Sequence, residues 1–339
     1  MKAFITLCHK NHAYDGSITF LFKAIEKTSL QECDVVIFPI TYQNEYVVDQ
    51  DLMQAIEDSG KKIVIVDFTE YNWDVLTSDH IFGINTHQWL HKFENKEYIK
   101  LDDFFIRNMN RIVLYFKREL PVNLKIKTPF KILPAEYLGI VELPDNKVDS
   151  FEEFNNRPID VMMIWGLSNP SRPIMHGEMC KQAATNGMQL VTNLDHITQY
   201  QKEGRKRMCV MVMNPDFARE SMHKILHLQS YCKISISLGG SGRKCFRDAE
   251  ASYNSVMARQ ENNLEWTYPW IDGFNAIELP NKQESVFIDE ERSYQRIARY
   301  LERPEQLYSM YLQGINNWKN YSADNYSNNY ILKEIQNAI

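Results

Sequence analysis

Short apolar runs alternate with helix-length amphipathic segments through the first half of the chain. The predicted strands are nearly free of charge and fall at residues 3–7, 35–39, 62–66, 81–83, 111–116 and 131–132. Amphipathic helices are predicted between them at residues 17–28 and 51–58. Uncharged strands that alternate with helices are typical of a parallel sheet covered on both faces. The pattern predicts a Rossmann-like lobe.

A second series of the same kind follows a polar, acidic segment at residues 143–157, which we interpret as a linker. Its predicted strands fall at residues 158–165, 190–191, 208–213 and 234–238, with one helix running to residue 188 and another at 220–229. The tail from residue 289 onward is mainly helical, most clearly at 292–301 and 304–318. The predicted fold class is α/β, with two Rossmann-like lobes and a C-terminal helical strap.

The length of 339 residues favours two domains over a single core. We predict an N-terminal lobe at residues 1–150 and a C-terminal lobe at 151–318. We expect the last segment, residues 319–339, to form a helix that packs back on the N-terminal lobe.

Composition narrows the expected partners and compartment. A net charge of -6 argues against a broad nucleic-acid surface, and small polar partners fit better. The six cysteines form no CxxC pair and no histidine cluster has zinc spacing, so neither a structural zinc nor a disulfide framework is expected. The chain begins with a strand rather than a signal peptide, and no apolar stretch has membrane-spanning length. We therefore expect a soluble, cytoplasmic protein.

A glycine-rich loop follows the strand at 234–238, with the sequence Gly239-Gly240-Ser241-Gly242. It leads into a predicted helix whose first turns carry Arg243, Lys244, Arg247 and Glu250. Glycines permit close approach of an anion, and a helix N-terminus offers unpaired N–H groups with a partial positive charge. The spacing matches neither a P-loop nor the dinucleotide fingerprint, and the same residues also suit an ordinary turn.

The loop after the strand at 158–165 has similar chemistry. Gly166, Ser168 and Arg172 supply a flexible backbone, a hydroxyl and a cation, all of which suit an anion.

These residues resemble the GT-B-fold glycosyltransferases, in particular the group-1 families and those similar to spore-maturation glycosyltransferase proteins. The similar residues are Ile159-Asp160-Val161 with Gly166 and Arg172, then Gly240, Gly242, Arg247-Asp248-Ala249-Glu250-Ala251, and Asp272-Gly273-Phe274-Asn275. The resemblance covers the C-terminal lobe in its motifs and the N-terminal lobe only in architecture.

The resemblance implies a nucleotide-sugar donor, such as a UDP- or GDP-sugar, in the C-terminal lobe. Glu250 would hold the ribose, while Arg172, Arg247 and the backbone of the Gly239 to Gly242 loop would hold the diphosphate. Fixed cations and dipoles would stabilise the leaving group, so neither a metal nor a cofactor is expected. The acceptor stays open among glycans, lipid-linked sugars, proteins and nucleic acids.

The retaining signature of these families, two glutamates separated by seven residues, is absent because Gly242 and Ala258 occupy the positions eight before and eight after Glu250. This leaves the stereochemistry open and favours inversion. An inverting enzyme needs a general base in the N-terminal lobe, and His12 or Asp15 after the first strand is the candidate.

Several other residues admit a structural interpretation. Asp67 follows a strand and either acts at the acceptor or caps a helix, and Asp49 is interpreted as a helix N-cap. Residues 116–119 are expected to form a surface ion-paired turn. Of Trp266, Tyr268 and Trp270, at least two are expected to serve packing.

Two other functions remain open. One is a non-catalytic GT-B-like module that binds a nucleotide or a glycan. The other is a DNA glycosyltransferase of the phage type, which the cations at Lys202, Arg205, Lys206 and Arg207 keep under consideration.

Overall fold

Two parallel sheets organise the described part of the chain. The computed structural model describes residues 1–6, 15–40, 49–68, 104–122, 128–136, 148–164, 170–186, 189–191, 208–212, 222–239, 244 and 246–339. Within these ranges each sheet has six strands, and every strand pair is parallel. The predicted α/β class with two Rossmann-like sheets is confirmed.

The chain divides into two units. The first comprises Met1–Glu142, Asn263–Thr267 and Ser322–Ile339, and the second comprises Leu143–Asn262 and Tyr268–Tyr321. Each unit contains one of the two sheets.

The sheet of the first unit has the order β2-β1-β3-β4-β5-β6. Its strands are β1 (Lys2–Ile5), β2 (Glu26–Lys27), β3 (Val35–Ile40), β4 (Lys62–Asp67), β5 (Ile112–Lys117) and β6 (Lys131–Pro134). Every residue of β3 is buried, as expected for a strand with neighbours on both sides and helices on both faces. Phe38 packs against Phe104 and Phe105 with ring centroids 5.4 and 5.2 Å away, respectively.

The helix predicted at residues 17–28 is shorter than its sequence pattern indicates. Helix α1 ends at Leu21 (Asp15–Leu21), and Glu26 and Lys27 instead pair with β1. The hydroxyl of Ser327 donates to the carbonyl of Leu21 at 2.8 Å and accepts from the amide of Ala24 at 2.9 Å. A residue distant in sequence therefore holds the backbone groups at the end of this helix.

The sheet of the second unit has the order β12-β11-β10-β7-β9-β8. Its strands are β7 (Ile159–Ile164), β8 (Gln189–Val191), β9 (Met208–Val212), β10 (Cys232–Ser237), β11 (Val256–Gln260) and β12 (Ile277–Leu279). The apolar pattern of the sequence did not predict β11 and β12. The first of these ends in Arg259 and Gln260, and the second is only three residues long, so neither is a clear apolar run.

The segment interpreted as a linker contains a helix, α3 (Phe151–Asn155). Ser150 and Glu153 form a capping box, in which each side chain accepts a hydrogen bond from the other residue's backbone N–H. Phe154 buries its ring in the core of the second unit. The linker interpretation was therefore wrong for these residues, because the polar side chains of Ser150 and Glu153 cap a helix.

The remaining helices cover the two sheets. They are α2 (Gln50–Ser59), α4 (Ser171–Asn186), α5 (Met222–Gln229), α6 (Phe246–Asn254), α7 (Glu290–Leu301) and α8 (Pro304–Asn320). Asp49 caps α2 as predicted, since its Oδ1 accepts from the amides of Asp51 and Leu52 at 3.0 and 3.1 Å. Within the described ranges, no helix combines the length and apolar character needed to cross a membrane.

The chain ends in a helical segment on the first unit, formed by α9 (Ala323–Tyr326), a π-helical stretch (Ser327–Leu332) and α10 (Lys333–Ala338). Tyr326 lies within a buried network, where its hydroxyl contacts a carboxylate oxygen of Glu136 and the hydroxyl of Thr267. The amide of Thr267 donates to the other oxygen of Glu136 at 2.8 Å. Burial raises the pKa of Tyr326 well above its usual value, and the charge of Glu136 raises it further. The network therefore joins β6, residues 263–267 and the C-terminal helix within one unit.

Candidate functional site

The two loops predicted to bind an anion leave neighbouring strands of the second sheet. Strands β7 and β10 pair directly, with Val161 opposite Ile234 and Met162 opposite Ser235. After β7 the chain forms β8 and β9 on one side of that strand, and it then crosses to form β10 on the other. This is the topological switch point of a doubly wound sheet, where ligands characteristically bind at the carboxyl ends of the strands.

Arg172 links the first turn of the helix after β7 to the end of β10. It lies in the first turn of α4, where its guanidinium is buried and donates from Nη2 to the carbonyl of Leu238 at 3.0 Å. Leu238 directly precedes Gly239, so this bond fixes the backbone where the glycine loop begins. A guanidinium has five N–H groups, and this contact uses one of them. The structure thus gives Arg172 a positioning function that the sequence did not indicate.

Helix α6 starts close to the end of β10. The hydroxyl of Ser237, the last residue of β10, donates to Oδ1 of Asp248 at 2.7 Å, and both side chains are buried. This contact holds the first turn of α6 against the carboxyl edge of the sheet. Sequence reasoning singled out Arg247 and Glu250 on either side of Asp248 and missed this anchoring residue.

The helix begins later than the sequence indicated. Lys244 was expected in its first turn, whereas α6 starts at Phe246 and Lys244 precedes it. The Lys244 side chain is buried rather than solvated. A buried cation therefore lies two residues before the start of α6.

Several predicted site residues lie outside the described residues. They are His12, Gly166, Ser168, Gly240, Ser241 and Gly242. Asp15 is the first residue of α1, and Arg247 and Glu250 lie three residues apart on α6, but the structure describes only the backbone of these three. Gly239 is buried at the end of β10.

The Asp272-Gly273-Phe274-Asn275 motif forms a tight turn. Gly273 has a φ of 73°, a left-handed conformation that favours glycine. Asn275 closes the turn, because its Oδ1 accepts from the amide of Ile271 at 2.6 Å and its Nδ2 donates to the carbonyl of Pro269 at 3.2 Å. The resemblance in this motif therefore corresponds to a structural turn that leads into β12.

Of the three aromatic residues that precede this turn, two pack against Tyr321. Tyr268 meets the ring of Tyr321 edge-on at 5.2 Å, and Trp270 stacks on it at 6.0 Å between centroids. The prediction that at least two of the three serve packing is confirmed.

The carboxyl ends of β4 and β5 in the first unit carry a buried charged cluster. The ammonium of Lys117 contacts Oδ2 of Asp67 at 2.8 Å, and the hydroxyl of Tyr115 donates to the same oxygen. Lys117, Arg118 and Glu119 are all nearly inaccessible to solvent, so the prediction of a surface ion-paired turn was wrong. The reason is that β5 is an inner strand of its sheet, and burial continues past its end.

Burial lowers the pKa of Lys117 to about 8, although the charge of Asp67 favours the ammonium form. An unfolded lysine titrates near 10.4, so between these values the folded chain binds fewer protons than the unfolded chain. The free energy of unfolding should therefore rise with pH between about 8 and 10 through this group, at about 1 kcal/mol per pH unit. Urea titrations at several pH values give the free energy of unfolding of the native protein and of a Lys117→Met variant. The free energy should rise more steeply with pH in the native protein. Equal dependence on pH in the two proteins between about 8 and 10 would contradict the prediction.

No protein-family model and no curated protein matches the chain. Among solved structures, HepE of Anabaena in complex with UDP matches with a TM-score of 0.52 and 7% identity, covering 100% of this chain and 99% of that one. HepE in complex with UDP and glucose matches with a TM-score of 0.51 and 9% identity, covering 100% of both chains. The GtfA/B complex matches with a TM-score of 0.48 and 13% identity. The match covers 89% of this chain and only 57% of the GtfA/B chain. The two HepE structures show that the chain has the GT-B fold, as its sequence motifs indicated.

Proposed function

We propose that this protein is a glycosyltransferase that moves a sugar from a nucleotide-sugar donor to an acceptor. One observation carries the proposal. The two anion-suited loops leave adjacent strands, β7 and β10, at the topological switch point of the second sheet. The carboxyl ends of these strands are separated by more than sixty residues in the sequence and become neighbours only through the sheet.

The donor site that we propose comprises Gly166, Ser168, Arg172, the loop from Gly239 to Gly242, Arg247 and Glu250. The bond from Arg172 to Leu238 and the bond from Ser237 to Asp248 give the glycine loop a fixed start and α6 a fixed position. Pre-set amides and cations stabilise the charge that develops on a leaving diphosphate without reorganising during the reaction. The chemistry we assign to this site is metal-independent.

The donor to test first is UDP-glucose, because the similar HepE structures contain UDP and glucose. For the acceptor side we propose His12 or Asp15 as the general base of an inverting reaction, since the loop after β1 leaves the carboxyl edge of the first sheet. Inversion predicts a product anomer opposite in configuration to the donor, which NMR of the product reads directly.

The test is UDP release from UDP-glucose and related donors. We expect Arg247→Ala to lower turnover by about 10²–10³-fold, the usual effect of removing a group that stabilises transition-state charge. Arg107→Ala is the matched control, because Arg107 lies in the first unit and is mostly exposed beside Glu57. The control should retain full activity, and both variants should keep the native thermal midpoint.

The rival function is a non-catalytic module. Two results together would support the module and contradict the transferase. UDP binds saturably and Arg247→Ala weakens the binding, while no sugar nucleotide releases UDP.

A further inference from the structure

A row of arginines lies on the second unit, apart from the proposed donor residues. Arg292, Arg296 and Arg299 recur at helical spacing on α7, and Arg303 continues the row at the junction with α8. Residues spaced by three or four share one side of a helix. All four line a groove of 510 Å³.

Two of these guanidiniums already contact carboxylates, and two do not. Arg296 pairs with Asp272, and Arg292 approaches Asp289 at 3.8 Å. In the described part of the chain, the side chains of Arg299 and Arg303 make no ion pair or hydrogen bond. The groove therefore keeps two positive charges that no described carboxylate neutralises.

Arg296 is only partly engaged by Asp272. The contact is made through Nη2, the side chain is 38% exposed, and Nε meets no hydrogen-bond acceptor among the described residues. A guanidinium has five N–H groups, so the pairing with Asp272 leaves donors of Arg296 for an anion in the groove.

The composition of the chain does not account for this concentration of charge. The net charge is -6, yet four arginines and no acidic residue line the groove. Asp272 and Asp289, which pair with Arg296 and Arg292, do not line the groove. Three further acidic residues of this stretch are exposed and do not line it either: Glu291, Glu302 and Glu305. Their negative charge disfavours a long polyanion that would extend past the groove.

We propose that this groove binds a small anion that carries two or more phosphoryl groups. Planar guanidiniums bind phosphate oxygens in a bidentate manner, and successive arginines along the row match successive phosphoryl groups. The volume lies within the range of small-molecule sites. Tyr300 and Pro280 form part of the wall and offer carbon surface to the remainder of such a ligand. The site lies beyond the proposed function, since it shares no residue with the donor site.

Calorimetric titration with inorganic tripolyphosphate tests the proposal on the full chain. We expect binding that the double variant Arg299→Gln with Arg303→Gln weakens at least about tenfold, from the loss of two charged contacts. A matched double variant, Arg107→Gln with Lys131→Gln, removes two mostly exposed cations of the first unit and should bind as the native protein does. Orthophosphate should bind at least about tenfold more weakly than tripolyphosphate, because it spans fewer guanidiniums.

Further measurements distinguish binding in this groove from binding at the donor loop and from binding of nucleic acid. Arg247→Ala should leave intact the tripolyphosphate binding that the Arg299/Arg303 double variant weakens, and the double variant should retain UDP release from the donor. The proposal is overturned if tripolyphosphate does not bind, if Arg247→Ala abolishes its binding while the double variant does not, or if orthophosphate binds equally well. It is also overturned if a short DNA duplex binds more tightly than tripolyphosphate and loses that binding in the double variant.

Discussion

Replacement of Arg157 by leucine is expected to lower the free energy of unfolding of the second unit by roughly 3–5 kcal/mol. The guanidinium is buried just before β7, where Nε donates to Asp149 at 3.0 Å and Nη2 donates to the hydroxyl of Tyr311 at 3.1 Å. Nη1 donates to the carbonyl of Cys232 at 2.6 Å and to that of Asn254. Leucine satisfies none of these acceptors, and unpaired buried acceptors carry most of the penalty.

Arg157 also lies against two aromatic rings. Its guanidinium carbon is 4.9 Å from the ring centroid of Phe154 and 4.8 Å from that of Tyr311. The bond to Asn254 places a cation at the C-terminal end of α6, the helix whose N-terminus follows the glycine loop. Loss of Arg157 should therefore weaken the support of α6 at its C-terminal end.

Urea unfolding followed by circular dichroism measures this effect. Arg157→Lys keeps the charge but loses the planar guanidinium with its several N–H donors. It should therefore destabilise the unit less than Arg157→Leu does. Arg107→Leu is the matched control and should lose no more than about 1 kcal/mol, because Arg107 is 57% exposed. Equal effects of the leucine variants at the two positions would show that the buried hydrogen bonds of Arg157 do not stabilise this unit.

Replacement of Lys117 by methionine should destabilise the first unit by roughly 3–5 kcal/mol at neutral pH. The carboxylate of Asp67 is 2% exposed and loses the ammonium that it contacts at 2.8 Å. Its hydrogen bond from Tyr115 remains but does not supply a charge. Because ionised carboxylates are poorly solvated in such an environment, the loss exceeds that of a surface ion pair.

Two further variants make this prediction specific. Lys131→Met removes an ion pair with Glu334 that is 58% exposed on the lysine side, and it should cost no more than about 1 kcal/mol. Adding Asp67→Asn to Lys117→Met removes the carboxylate charge that lost its partner and should restore part of the lost stability. If Lys117→Met proves as mild as Lys131→Met, the buried pair does not stabilise the fold.

The strands that the sequence predicted best are those that form the centres of the two sheets. Residues 35–39 and 62–66 correspond to β3 and β4, and 234–238 corresponds to β10, each within one or two residues at its ends. A strand covered on both faces needs apolar side chains at nearly every position, and this requirement is visible in the sequence itself. The edge strand β12 has only three residues and lacked such a signal.

A helix-capping signal is also present in the local sequence at residues 150–153. The Ser150 and Glu153 capping box has the spacing of a helix start, yet the polar composition favoured a linker. In contrast, nothing in residues 17–28 indicates that the helix ends at Leu21, because the hydroxyl that binds its last carbonyl comes from Ser327.

The sequence by itself determined the α/β class, the central strands and the two glycine-containing loops suited to an anion, because apolar periodicity and turn residues act over a few neighbours. Tertiary structure decided which distant residues meet. Only the strand order brings the carboxyl ends of β7 and β10 side by side, and only folding encloses Lys117 with Asp67 and Arg157 among four acceptors. Burial and long-range hydrogen bonds depend on groups that no local pattern brings together, and that dependence set the limit of the sequence analysis.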